Sequence, residues 1–428
     1  MLGMLALLVL IFVRVPVAVA LGAVGFLGYA AIEGWQRALL VLGSTPFDIA
    51  SGYALSVVPL FILMGALASE SGMSAKLFKA SKSLFNGFRG AEGTATICAC
   101  AGFAAVCGSS LATAATMSRI AIPEMRACGY DDRLSTGVVA AGGTLGILLP
   151  PSIIFVIYAV IAQQSILKLF AAGLVPGLVL MLLYMAVVGV MAVARPDWAQ
   201  RGERLPFGRR LRDIVQMWEI AVLFGASIGG MYAGLFSPTE AAAIGAFGAV
   251  VLAAITGRMS PGRFWKCVMQ SVQTTAMLFF IMIGAFLFSY FIVQTQLPAS
   301  LVVLVRDAGL SPFNIMLALV AIYVVLGCFL DGIGMMLVTV PIFFPLVVKN
   351  GFDPVWFGVI LVTLMEVGLI HPPVGMNLFV IRAAIPDISL RAVYLGVVPF
   401  LAAQAIFIAL LLTFPRMALW LPTLLYGH

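Results

Sequence analysis

The chain has 428 residues, of which 63% are hydrophobic and 10% charged. A soluble protein of this length cannot hide that much apolar surface, so the composition excludes a soluble enzyme and predicts a polytopic membrane protein. The net charge of +7 would suggest nucleic acid in a soluble chain. Here the basic residues sit in short loops between apolar runs, which is the positive-inside pattern.

Apolar runs fall at about 2–13, 16–31, 53–70, 93–122, 133–163 and 170–194, and then at about 217–235, 239–256, 269–293, 313–346, 355–382 and 392–414. The first has no basic residue before it and no clear small-x-small cleavage site after it, so it reads as a short retained helix rather than a signal peptide. Between the two sets lies the most basic loop, with Arg195, Arg201, Arg204, Arg209, Arg210 and Arg212, which places it in the cytoplasm. Cys98, Cys100, Cys107, Cys128, Cys267 and Cys328 show no CxxC spacing and read as small hydrophobes. With only two histidines, a His-rich metal site is not expected.

The second set repeats the first. Pro123, Gly129, Asp131, Gly146, Pro150 and Pro151 recur 222 residues later as Pro345, Gly351, Asp353, Gly368, Pro372 and Pro373. Glycine and proline fix backbone geometry rather than fill volume, so a match carried by them is a match of fold. The expected organisation is a first repeat over 1–194, a cytoplasmic linker over 195–216 and a second repeat over 217–428. The segment 93–122 is flanked by Lys76, Lys79, Lys82 and Arg89 on one side and by Arg126 and Arg133 on the other. Both flanks are basic, so the segment enters and leaves on the cytoplasmic side as a re-entrant hairpin, with its tip near Cys107–Ser110. Its partner, 313–346, has only Arg306 and Lys349 beside it, which suggests the outer side and an inverted second copy, its tip near Gly327–Gly332.

Each hairpin is followed by an interrupted helix, over about 133–163 and 355–382. Pro151 and Pro373 remove backbone donors, and the residues before them are pushed out of helical geometry. Freed carbonyls and negative helix ends can ligate sodium, while free N–H groups and positive ends can hold an anion. Ser109, Ser110, Thr113 and Thr144 add hydroxyls in the first copy. Asp331 and Glu366 stand at the positions of Ser109 and Thr144 in the second. A charge at membrane depth costs roughly 2.5–3.5 kcal/mol on the lenient insertion scale, so Asp331, Glu366 and His371 point to a wet or ion-binding site. Capping a half-helix is the plainer role for each of them, and Arg119 reads as snorkelling or as an anion contact. No Walker sequence, HExxH or GxSxG occurs, so nothing signals ATP hydrolysis or hydrolytic chemistry. A membrane-embedded enzyme and a purely structural scaffold remain the readings from other classes.

Four stretches carry a resemblance. Pro59–Gly65, Gly108–Ala114, Ser237–Ala242 and above all Gly143-Thr144-Leu145-Gly146-Ile147-Leu148-Leu149-Pro150-Pro151-Ser152 resemble the large membrane subunit of tripartite ATP-independent periplasmic (TRAP) transporters. The likeness covers nearly the whole chain. It implies an all-α protein of two inverted repeats, with about ten spans and two re-entrant hairpins, working as an elevator. It implies sodium-coupled uptake of an organic anion, such as a C4-dicarboxylate or sugar acid, across a bacterial or archaeal inner membrane. A separate small four-helix subunit and a periplasmic substrate-binding protein are the implied partners, and Na+ the coupling ion. The implied ion ligands are Gly108, Ser109, Ser110, Gly143, Thr144 and Gly146 in the first copy, with Asp331, Gly332, Glu366 and Gly368 in the second. The candidate substrate contacts are Thr113, Arg119, Pro151, His371, Pro373 and Asn377. A stand-alone sodium- or proton-coupled carboxylate carrier is the rival within the same class.

Overall fold

A computed structural model describes residues 2–202 and 205–427; Arg204 of the basic loop lies outside them. The described residues are predominantly helical, with a single isolated bridge between Arg89 and Arg201 in place of any sheet. Among the described residues, six helices are long and apolar enough to cross a bilayer, or up to eight spans when each of two bent pairs counts as one. That is fewer than the ten or so spans expected from the sequence. Several apolar runs form helices below the crossing length, among them Leu2–Phe12 and Val17–Glu33. At 1.5 Å per residue, the 11-residue Leu2–Phe12 reaches only about 16 Å, half a hydrocarbon core.

Five further helices fall outside the apolar runs: Trp35–Ala50, Met73–Leu84, Phe207–Val215, Leu297–Asp307 and Arg416–Tyr426. Each mixes apolar and polar faces, so none stands out as a hydropathic block. Met73–Leu84 carries the three lysines that served as a topology signal, and all three are ion-paired. Lys76 meets Glu219, Lys79 meets Asp213 at 2.9 Å, and Lys82 spans Glu92 and Glu124 at 3.4 and 3.2 Å. The linker is likewise not all loop. Its helix Phe207–Val215 is fastened to Met73–Leu84 through Asp213, which also accepts a hydrogen bond from Ser83 at 2.6 Å.

Two helical hairpins lie where the apolar pattern breaks. Ala91–Cys107 turns back into Ser110–Ala127, and Pro312–Gly327 into Gly332–Lys349. Two interrupted helices follow, Asp132–Leu148 with Ile153–Ile161, bent by 42°, and Pro354–Ile370 with Met376–Ala384. Shifted by 222 residues, Ser110–Ala127 falls on Gly332–Lys349 and Asp132–Leu148 on Pro354–Ile370. The caps match as well: Asp131 and Asp353 each accept backbone N–H bonds at the start of their helix.

Two contacts fix how the interrupted helices lie. Arg126, just before the first begins, donates to Asp387, just after the second ends, at 2.7 Å. That guanidinium holds the Asp387 carboxyl below its usual range. Tyr158, near the end of the first, donates to the carbonyl of Pro354, where the second starts, at 2.6 Å. The interrupted helices therefore run in opposite directions. Backbone approaches draw them into a core: Gly137 of the first meets Gly396 of the long helix Leu390–Thr413 with no room for a side chain between. A separate pair, Val17–Glu33 and Pro261–Gln294, packs in the same way through Gly25 and Gly284.

Candidate functional site

The first hairpin turns at Gly108 and Ser109. Gly108 has φ +63°, and a Cβ there would lie 2.6 Å from the carbonyl oxygen of Pro151 in the adjacent break, so the turn needs glycine on both counts. Ser109 caps Ser110–Ala127 by accepting from the Ala112 N–H at 3.4 Å. Gly146 packs on the Ser109 backbone, where a Cβ would approach to 2.9 Å. Ser152 caps Ile153–Ile161 and donates to the carbonyl of Ile147, which closes the break on itself.

The second hairpin turns over Cys328–Asp331. Asp331 takes the place of Ser109 and caps Gly332–Lys349 by accepting from the Gly334 N–H at 3.0 Å. Gly327 lies against Gly368 of the second interrupted helix. Cys328 Sγ is 3.4 Å from His371 Nδ1 in the break. Each tip thus meets the interrupted helix of its own half.

A cavity of about 200 Å³ joins the two halves. Gly108, Ser109 and Ser110 line it from one tip, Asp331 and Gly332 from the other, and Ile147, Met365 and Leu369 from the interrupted helices. Thr274, Met277 and Leu278 of Pro261–Gln294 complete the wall. A larger open cleft of about 740 Å³ beside Lys168, Pro354 and Arg416 contains none of the sequence-predicted site residues.

The chemistry of this cavity is divided. The N-termini of Ser110–Ala127 and Gly332–Lys349 both open onto it, and helix N-termini attract anions. The hydroxyls of Ser109 and Ser110 and the Asp331 carboxylate are the hard side-chain oxygens that the two tips bring to its lining. Such a donor set suits a hard cation better than a soft metal. The remaining walls are apolar, as in most small-molecule sites.

The other expected residues fall as follows. Gly143 packs against Ala114 and the Asn377 amide. Thr113 is buried and donates to the Ser109 carbonyl at 2.8 Å. Arg119 is exposed, and ten residues beyond Ser109 puts it about 15 Å along the helix from the tip. Pro151 presents its carbonyl to Gly108, while Pro373 has its own occupied by Tyr394 at 2.8 Å. Thr144 and Glu366 do not line the cavity. Thr144 is fully buried, donating to the Ala141 carbonyl at 2.8 Å and meeting the Tyr184 hydroxyl at 3.2 Å. Glu366 is also fully buried, and neither carboxyl oxygen has a hydrogen-bond partner.

Asn377 is placed less simply than a substrate contact. Its amide nitrogen donates to Ser110 Oγ at 2.9 Å and to the Ala140 carbonyl at 3.3 Å, tying the second interrupted helix to the first hairpin tip. Sequence reasoning missed Tyr184 and Gln404, both fully buried beside this core. The available signal was a polar residue midway along each of two long apolar runs.

Helices of crossing length, paired hairpins and a cavity shared by the two hairpin tips are the marks of a multi-pass membrane permease. The chain belongs to the TRAP transporters as their large permease: the family described as "Tripartite ATP-independent periplasmic transporter, DctM component" matches residues 4–417. The C4-dicarboxylate TRAP transporter large permease protein DctM of Pseudomonas aeruginosa is 35% identical, over 88% of this chain and 88% of its own. The sialic acid TRAP transporter large permease protein SiaM of Vibrio cholerae is 30% identical, over 94% and 95%. These relatives are transporter permeases, not enzymes. The crystal structure of the Alcanivorax borkumensis YdaH transporter shares the fold, with a TM-score of 0.64 at 15% identity over 91% of this chain and 90% of that one.

Proposed function

We propose that this permease imports an organic anion across a bacterial or archaeal inner membrane, driven by a sodium gradient. The substrate is a carboxylate of the kind its relatives' names give, a C4-dicarboxylate or a sialic-acid-like sugar acid. A periplasmic binding protein delivers it, and a small membrane subunit completes the complex. Related permeases named DctMQ and SiaT are longer chains, of which this one spans 58% and 68%.

The observation that carries this reading is the cavity between the two hairpin tips, which presents two helix N-termini beside hard oxygen ligands. Sodium binds at Gly108, Ser109 and Ser110 with the backbone of Gly143–Gly146, and at Asp331 and Gly332 with the backbone near Gly368. The opposed interrupted helices support an inverted-repeat architecture over 1–194 and 217–428. In the transport cycle both hairpins and both interrupted helices slide as one body past Val17–Glu33 and Pro261–Gln294.

The test is uptake into proteoliposomes holding the permease and its small subunit. Uptake that requires both an inward sodium gradient and the binding protein is expected. Uptake driven by a proton gradient without sodium removes the coupling. Full uptake without a binding protein makes the chain a stand-alone carrier.

A further inference from the structure

The two helix breaks are bonded by hydroxyls that come from different places in the chain. In the first, Ser152 lies inside the break, accepts from the Phe155 N–H at 3.3 Å and donates to the Ile147 carbonyl. The residue 222 positions on is Val374, whose side chain can do neither. Gly375, which precedes the half-helix Met376–Ala384, has no side chain to cap it. The second break is met instead by Tyr394, in the second turn of Leu390–Thr413. Its hydroxyl donates to the Pro373 carbonyl at 2.8 Å.

The exchange is reciprocal. Gly173 and Pro176 of Ile166–Ala194 recur 223 residues later as Gly396 and Pro399 of Leu390–Thr413, so Tyr394 stands at the position of Ala171 in the first half. Alanine has no side-chain donor. The bonding hydroxyl thus sits on the break itself in one half and on the neighbouring long helix in the other. Backbone carbonyls turned out of helical geometry need such partners.

Location makes this bond consequential. Leu369 and Met376, on either side of the second break, both line the cavity between the tips. His371, two residues before Pro373, lies 3.4 Å from Cys328 of the second tip. Gly396, two residues beyond Tyr394, packs against the backbone of Arg133 and Gly137 in the first interrupted helix. The tyrosine therefore ties the second break to a helix that is itself seated on the other half. We infer that Tyr394 is a positioning residue for the second break, doing from outside it what Ser152 does from within the first, and that its hydroxyl holds Leu369 and Met376 in the cavity wall. Tyr394 is not among the residues lining the cavity, so it acts through the break rather than on the solute. The kinetic consequence rests on the transport reading; the structural one does not.

The structural experiment is hydrogen–deuterium exchange on the detergent-solubilised permease, comparing peptides over 367–378 with peptides over 147–156. Tyr394→Phe keeps the ring and removes only the hydroxyl, so a packing role predicts no change. Exchange in the second break is expected to rise roughly threefold or more, with the first break unchanged. Replacing Tyr394 by para-aminophenylalanine returns a donor to the same place and restores wild-type exchange. The kinetic experiment is uptake in the assembled transporter. Substrate KM is expected to rise roughly threefold or more in Tyr394→Phe while kcat changes by less than about twofold, and the amino analogue restores KM. Equal exchange in wild type and Tyr394→Phe overturns the inference, whatever drives uptake. So does faster exchange that the amino analogue leaves uncorrected, or a KM that stays at its wild-type value. If the wild type shows no sodium-driven uptake, the transport reading falls and the exchange comparison alone decides.

Discussion

The two hairpin tips share helix boundaries but not their manner of closure. The first is held by backbone: Gly108 against Pro151, Gly146 against Ser109, with Ser110 bound to Asn377. The second is held at fewer points, Gly327 on Gly368 and Cys328 beside His371, and it leaves Asp331, Pro373 and Val374 exposed. A duplicated backbone has thus been given one tightly seated tip and one open, charged tip. The contrast teaches that similarity of helix breaks does not carry over to the side chains that line them.

The comparison can be broken most forcefully at the first tip. Gly108→Val and Gly146→Val should each destabilise the protein by about 1–3 kcal/mol or more through overpacking, with uptake lost; thermal unfolding in detergent beside proteoliposome uptake measures both. Wild-type stability in either variant would mean that the first tip is as open as the second. Next comes the charge that sets the second tip apart. Asp331→Asn preserves a capping oxygen, so melting should shift little, while uptake falls about tenfold, equivalent to about 1.4 kcal/mol of lost binding or coupling. Equal uptake in Asp331→Asn and wild type would leave the carboxylate a mere cap.

Asn377→Leu tests the tie between halves. It leaves Ser110 and the Ala140 carbonyl short of a donor in a buried setting, with an expected cost of about 1–3 kcal/mol in thermal unfolding. The mildest probe is chemical. A membrane-permeant maleimide should modify half-buried Cys328 readily and buried Cys107 hardly at all, as peptide mapping by mass spectrometry would read. Comparable labelling of both would erase the difference in closure.

Much of this arrangement was legible before any coordinates. Glycine and proline punctuate the chain wherever a helix must stop, so the hairpins, their tips and both breaks were readable to within a few residues. Helices such as Met73–Leu84 and Phe207–Val215 escaped because hydropathy detects blocks, and here the apolar residues of one face are broken up along the sequence by lysines or arginines of the other. The facing of Thr144 and Glu366 escaped for a different reason. Alignment puts a residue in a helix near a break, but which side it presents depends on the rotation of that helix against Ile166–Ala194 and Leu390–Thr413. Asn377 is the same lesson at longer range, since no local pattern links it to Ser110.

That bond has a bearing on biosynthesis. Ser110 and Asn377 are separated by 267 residues, so the first tip is translated and inserted long before the side chain that seats it exists. At a synthesis rate of roughly 5–20 residues per second, the half-built hairpin waits in the bilayer for on the order of tens of seconds with its hydroxyl unclaimed. The membrane insertion machinery or a partner chain must shelter it over that interval. Truncations ending before Asn377 should accordingly be degraded rather than accumulate as a stable first half.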